Sequence, residues 1–123
     1  MSTITPRPPK KELIALYLRF RTLLDSIKEL PTAYVMTPEL ETLLAVIGNA
    51  WQAGNPYPVR KLLIREELGS PATIHKRIHQ LKSAGFVDFE ALERDSRIRL
   101  VVPTERALRH FVEHAKIIRE VAK

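Results

Sequence analysis

A mainly α-helical fold with one small β-hairpin, an α+β class, is predicted by three features of this 123-residue chain. Apolar residues recur at three- and four-residue spacings in five separate stretches, the mark of helices with one buried stripe. Two of those stretches open on a capping residue followed by proline, Thr37-Pro38 and Ser70-Pro71, which supplies a side-chain acceptor for free N–H groups and a preset first helical residue. Between Phe86 and Val102 the spacing changes to a period of two around a charged stretch, as in paired half-exposed strands. Helix, tight turn, helix and hairpin in that order read as a winged helix-turn-helix, with the N- and C-terminal helices left over as a dimerisation region.

Residues 1–9 form an arm in which Pro6, Pro8 and Pro9 favour extended backbone, and free termini of this kind are expected to be mobile. A helix follows from Lys10 to Leu30, where Leu13, Tyr17, Phe20, Leu24 and Ile27 recur at 4-3-4-3 spacing, a coiled-coil-like seam. Ile14, Leu16, Leu18 and Leu23 widen the apolar surface beyond what one neighbour covers, so the segment 10–36 is expected to meet a second chain as well as its own domain. Pro31 stops the helix.

The segment 37–103 is expected to be the winged helix-turn-helix itself. Its first helix presents Leu40, Leu43, Leu44, Ile47, Ala50 and Trp51 inward and closes at Gly54. Asn55-Pro56-Tyr57-Pro58 is a turn leading a very short strand, and Val59 to Leu68 reads as a helix with Leu62, Leu63 and Leu68 inward. Gly69 turns the chain into a helix over 71–84, where Ile74, Ile78 and Leu81 share one stripe and Thr73, His75, Lys76, Arg77, His79, Gln80 and Lys82 fill the remaining arc. Gly85 ends it, because glycine takes left-handed dihedrals after a helix without a Cβ penalty. The wing, 88–99, is bounded by the bulky Phe86, Val87 and Phe89 on one side and by Ile98, Leu100 and Val102, alternating with Arg97, Arg99 and Val101, on the other; Glu90 to Ser96 is its polar tip and Pro103 ends the pairing. Thr104 caps a last helix, 104–123, whose Leu108, Phe111, Ala115, Ile118 and Ala122 form a second heptad-like stripe. Phe111 and Ile118 join the five seam residues of the N-terminal helix as expected dimer contacts.

A formal net charge of +6 and a pI near 9.9 favour an acidic partner. The excess is concentrated: between Pro58 and Ser83, Arg60, Lys61, Arg65, Lys76, Arg77 and Lys82 face only Glu66 and Glu67. The absence of cysteine excludes disulfide and thiol chemistry. MSTITPRPPK has no apolar core of a signal peptide, and no run approaches the roughly 18 apolar residues of a membrane span, so a cytoplasmic protein with no membrane partner is expected. With no glycine-rich phosphate loop or nucleophile elbow, and with Glu39, Glu41, Glu66 and Glu67 on solvated helix faces, neither enzymatic activity nor a cofactor is expected.

Double-stranded DNA is the acidic partner that the cationic helix and wing suit. Lys76, Arg77, Lys82 and Arg60 are candidates for phosphate contacts, which set affinity and salt dependence. Thr73, His75, Lys76, His79 and Gln80 are placed for base edges, since glutamine pairs bidentately with adenine and lysine donates to guanine. Arg94, Arg97 and Arg99 suit a minor groove or its phosphates, and Arg97 has the further option of pairing with Asp95 to shape the wing. Histidines at i and i+4, His75 with His79 and His110 with His114, can also share a metal ion, the second pair with Glu113 between them. Two ligands fall short of the three or four that zinc needs, so no residue is assigned to a metal, and a metal-responsive repressor stands as an alternative. Another is an interaction module whose cationic face meets an acidic protein.

The run LLIREELGSPATIHKRIHQLKSAGFV, with ERDSRIRLVVPTERALRHF after it, resembles the winged-helix core of MarR-type transcriptional regulators over about residues 38–111. The resemblance is carried by Gly85-Phe86-Val87, by the wing Asp95-Ser96-Arg97-Ile98-Arg99 and by Thr104 opening the next helix. It implies a homodimer, expected to repress transcription, that reads a pseudopalindromic operator with a recognition helix from each subunit in successive major grooves. It also implies that many relatives respond to small aromatic ligands; no residue here points to such an effector pocket. Only 19 residues follow Thr104, where the family has two C-terminal helices, so the long N-terminal helix is expected to supply the missing dimer surface.

Overall fold

The computed structural model describes residues 10–121; the proline arm and Ala122 lie outside the described residues. Its order is α1 (Lys11–Lys28), α2 (Pro38–Gln52), α3 (Val59–Leu63), a 3-10 turn (Glu66–Leu68), α4 (Pro71–Ser83), β1 (Val87–Leu92), β2 (Asp95–Pro103) and α5 (Glu105–Val121). The α+β class with a single antiparallel hairpin is as the sequence predicts.

The helix starts follow from their caps. Thr37 Oγ1 accepts from Leu40 N–H at 3.2 Å, Ser70 Oγ from Thr73 N–H at 3.2 Å and Thr104 Oγ1 from Ala107 N–H at 3.3 Å. α4 ends in a double reverse bond, Gly85 N–H to Lys82 C=O at 3.0 Å and Phe86 N–H to Leu81 C=O at 2.9 Å, with Gly85 at φ 84°. That turn aims Phe86 into the core and starts β1. The hairpin runs in register from Val87 opposite Pro103 to Ala91 opposite Arg99, with an irregularity before Leu92. Pro58 bridges Leu100, and Val101 N–H donates to Tyr57 C=O at 2.9 Å, so the expected very short strand leans on the outer edge of β2.

The core lies among α2, α3, α4 and the base of the hairpin, where Leu44, Ile47, Leu62, Ile74, Leu81, Phe86 and Val101 are fully enclosed. α5 closes it through Ala107 and His110, and approaches α2 at Gly48, where an added Cβ would lie 3.0 Å from the Phe111 ring. α1 rests against α5, and none of its residues is buried.

Three local expectations are corrected. The helix read from Val59 to Leu68 stops at Leu63, and its remainder is a 3-10 turn. Leu62 and Leu68 stand six residues apart, which on a continuous helix puts them about 120° apart around the axis; the chain must break for both to reach the core, and Ile64 is left 75% exposed at the break. Trp51, expected inward, is only partly covered, with 38% of it exposed. The wing's polar tip is shorter than Glu90–Ser96, because β1 continues to Leu92 and only Glu93 and Arg94 turn the chain. In α5 the row that meets the core is Ala107 and His110, with His110 4% exposed and packed edge-on against Phe86, while Ala115 and Ile118 of the heptad-like stripe are exposed. A histidine in the buried row hides that row from a purely apolar count.

Candidate nucleic-acid interface

The core stripe Ile74, Ile78 and Leu81 fixes the rotation of α4, which leaves His75, Lys76, His79 and Gln80 exposed on its outer face. His75 and His79 stack obliquely with centroids 4.4 Å apart, and His79 meets the Phe89 ring edge-on at 6.1 Å. Arg60, exposed at the start of α3, and the exposed Arg97 and Arg99 of β2 border the same groove, whose volume is about 640 Å³. α4, α3 and the wing therefore bound one open concave surface with cationic walls.

The predicted residues divide by what already holds them. Arg77 is half-buried and donates to Leu68 C=O at 3.2 Å, so it braces the turn between the two helices, and Thr73 is half-buried with its hydroxyl accepting from Ser70 Oγ at 2.9 Å. Lys82 pairs with Asp88 at 3.0 Å and lies 5.5 Å from the Phe89 ring centroid, linking α4 to the root of the wing. Asp88 is drawn below the usual carboxylate range by the Lys82 hydrogen bond and the Phe89 N–H. Arg94 and Arg99 are exposed and form no ion pair of 4.0 Å or less among the described residues. Sequence reasoning had no signal for the Lys82–Asp88 pair, whose members are joined only by the turn at Gly85.

Arg97 forms a fork on Asp95, Nε to Oδ1 at 3.0 Å and a terminal nitrogen to Oδ2 at 3.2 Å, while its own backbone N–H donates to Oδ1 at 3.1 Å. The Arg97 side-chain bond, then the backbone bond, hold the Asp95 carboxyl below its ordinary range, and the same contact raises Arg97. A depressed carboxylate contributes order above its unfolded titration range and loses it as pH falls through the folded value. Wing amide signals are therefore expected to broaden or shift as pH is lowered below about 4, and Asp95→Asn is expected to show that wing at neutral pH; an unchanged spectrum in the variant would deny the fork any shaping role.

A second cluster joins α5, α2 and the turn after α1. His110 Nε2 is 2.7 Å from Glu41 Oε1, and its Nδ1 is 2.7 Å from Thr32 Oγ1 in the turn after α1. His114 Nδ1 donates to His110 C=O at 2.8 Å. The grouping suggested by sequence, His110 and His114 with Glu113, is corrected: Glu113 is exposed toward Lys116, and Glu41 of α2 takes its place. No spacing rule could find Glu41, which is brought in by the packing of α5 on α2.

The sequence matches no protein-family model and no curated protein. Solved structures share the fold. A MarR-like transcriptional regulator from Thermotoga maritima aligns with a TM-score of 0.65 at 15% identity, covering 95% of this chain and 79% of the other. The MarR crystal structure aligns at 0.56 and 16% identity over 93% and 78%. The PcaV transcriptional regulator from Streptomyces coelicolor, solved with its natural ligand, aligns at 0.51 and 19% identity over 99% and 80%. The architecture is thus that of the MarR-type winged helix.

Proposed function

We propose, from this MarR-type winged-helix architecture, that the chain is a transcriptional regulator that binds double-stranded DNA in a sequence-specific manner. The observation that carries the reading is the exposed row His75, Lys76, His79 and Gln80, with Arg60, Arg97 and Arg99 gathered around the groove that His75 and His79 line. An α4 laid in a major groove would bring that row to base edges, with the wing arginines over the adjacent backbone or minor groove. The chain acts as a homodimer in this reading, its two recognition helices meeting the halves of a pseudopalindromic operator, and represses by occupying it. Support for the dimer comes from α1, where Leu13, Ile14, Leu16, Tyr17, Leu18 and Phe20 are each 45–58% exposed, an apolar surface far larger than scattered single residues make. Among the described residues no helix is long and apolar enough to cross a membrane.

Genomic fragments selected for binding provide the test. A selected fragment is expected to bind about 10³-fold or more tighter than random duplex at physiological salt; equal affinities would end the specific-regulator reading. Gln80→Ala and His79→Ala should cost about 1–3 kcal/mol on the selected site and relax its base preference. Arg60→Ala should weaken all sequences alike and reduce the salt slope by about one unit. Arg77→Ala should act differently from both, through loss of stability, because Arg77 is engaged with the Leu68 carbonyl.

A further inference from the structure

We propose that Glu41, His110 and His114 bind a divalent transition-metal ion of the zinc class, at a site that joins α2 to α5. A carboxylate oxygen of Glu41 and one ring nitrogen from each histidine lie within 4.8 Å of one another. Tetrahedral ligands about 2.0–2.1 Å from zinc stand about 3.3–3.4 Å apart, so closing the three onto an ion needs shifts of about 1 Å, within reach of small side-chain rotations. The backbone holds the group in place: His110 and His114 stand one turn apart on α5, and Glu41 lies in the first turn of α2.

The hydrogen bonds around the cluster match what a metal site needs outside its ligands. A ligating histidine ordinarily donates its other ring N–H to a carbonyl, carboxylate or water, which fixes the tautomer and the ring plane. His114 Nδ1 already donates to the His110 carbonyl, so its Nε2 carries a lone pair. Thr32 Oγ1 beside His110 Nδ1 can accept a hydrogen bond from Nδ1–H, and in that tautomer the Nε2 lone pair is open to an ion in place of the hydrogen bond with Glu41. Phe86 and Phe111 flank the His110 ring. Two imidazoles and one carboxylate select zinc, cobalt or nickel over calcium and magnesium, which require oxygen cages, and with no cysteine in the chain no thiolate draws copper(I). Three protein ligands leave a fourth position for water.

An ion there would tie α2, part of the DNA-reading unit, to α5, which carries α1. On the reading above, which this consequence rests on, it would fix how far apart two recognition helices stand. The site itself is tested without DNA. Full-length protein stripped with chelator is titrated with zinc against a chromophoric competitor, and cobalt is used to read the ligand field. Wild type is expected to bind one zinc per chain with a tetrahedral cobalt spectrum. His114→Ala and Glu41→Gln should each weaken zinc by more than about 100-fold, since loss of even an outer partner costs 10–100-fold, whereas Glu113→Gln should not. Both ligand variants alter half-buried positions rather than the buried His110, and their circular dichroism should match wild type. Zinc affinity unchanged in both, or lost instead in His79→Ala, would overturn the proposal. Specific DNA binding is measured separately with and without zinc, and its failure in both states would count against the regulator reading and leave the metal result standing.

Discussion

Phe86→Ala is expected to lower stability by about 3–5 kcal/mol, seen as a fall in the urea midpoint with an unchanged slope. The ring is fully buried where α4, the hairpin and α5 come together. Its N–H donates to Leu81 C=O and its C=O accepts from Thr104 N–H at 3.0 Å, so the backbone around it is pinned on both sides and cannot close over a void. The Arg106 guanidinium lies 4.7 Å from its centroid and also donates to Ala84 C=O, while His110 meets it edge-on at 5.5 Å. Removing the ring strips partners from a cation and a buried imidazole as well as opening a cavity. For a domain whose total stability is about 5–15 kcal/mol, a loss of that size leaves little margin. Arg106→Ala should cost much less, about 1 kcal/mol, because it removes a cation–π contact and one hydrogen bond and leaves the core filled. Equal losses in the two variants would show that the joint depends on the cation and not on the ring.

Much of this arrangement is legible in the sequence because the signals are local. Ser70-Pro71 and Ala84-Gly85 bracket α4 from both ends, and the stripe Ile74, Ile78, Leu81 fixes its rotation, so the exposed row follows without knowledge of the rest of the chain. Thr104 was readable as a cap, but its second contact, the hydroxyl donating to Gly85 C=O, was not. The illegible features are those that packing creates between distant segments. Glu41 and His110 are 69 positions apart, and each looks like an ordinary surface residue until α5 lies on α2. The break after Leu63 is a milder case: the demand that Leu62 and Leu68 both be buried outweighs the helical preference of the residues between them. The cationic residues show the same limit, for charge alone cannot separate Arg77, spent on a turn, from Lys76, free at the surface.

Leu13→Glu with Tyr17→Glu is expected to convert the proposed dimer to a monomer, with the mass in solution halved. Both side chains are more than half exposed on α1, so within one chain their replacement removes almost no packing, and each should change the stability of an isolated chain by no more than about 0.5 kcal/mol. In the proposed dimer the same positions would lie on a coiled-coil-like seam, where two carboxylates per chain would be buried against two from the other and repel. The thermal midpoint of wild type should rise with protein concentration and that of the variant should not, because only association links stability to concentration. The loss on DNA should be larger than either mutation's local effect. A dimer holding one half-site presents its second recognition helix at an effective concentration that raises affinity by about 10²–10⁴-fold, and a monomer forfeits that factor while keeping every contact of α4 and the wing. Binding to a single half-site should therefore be unchanged while binding to the full operator collapses toward it. A variant that stays dimeric would place the interface elsewhere, with the exposed Val112 and Ile118 of α5 as the next surface to charge. A variant that becomes monomeric yet keeps full operator affinity would mean that one chain reads the whole site.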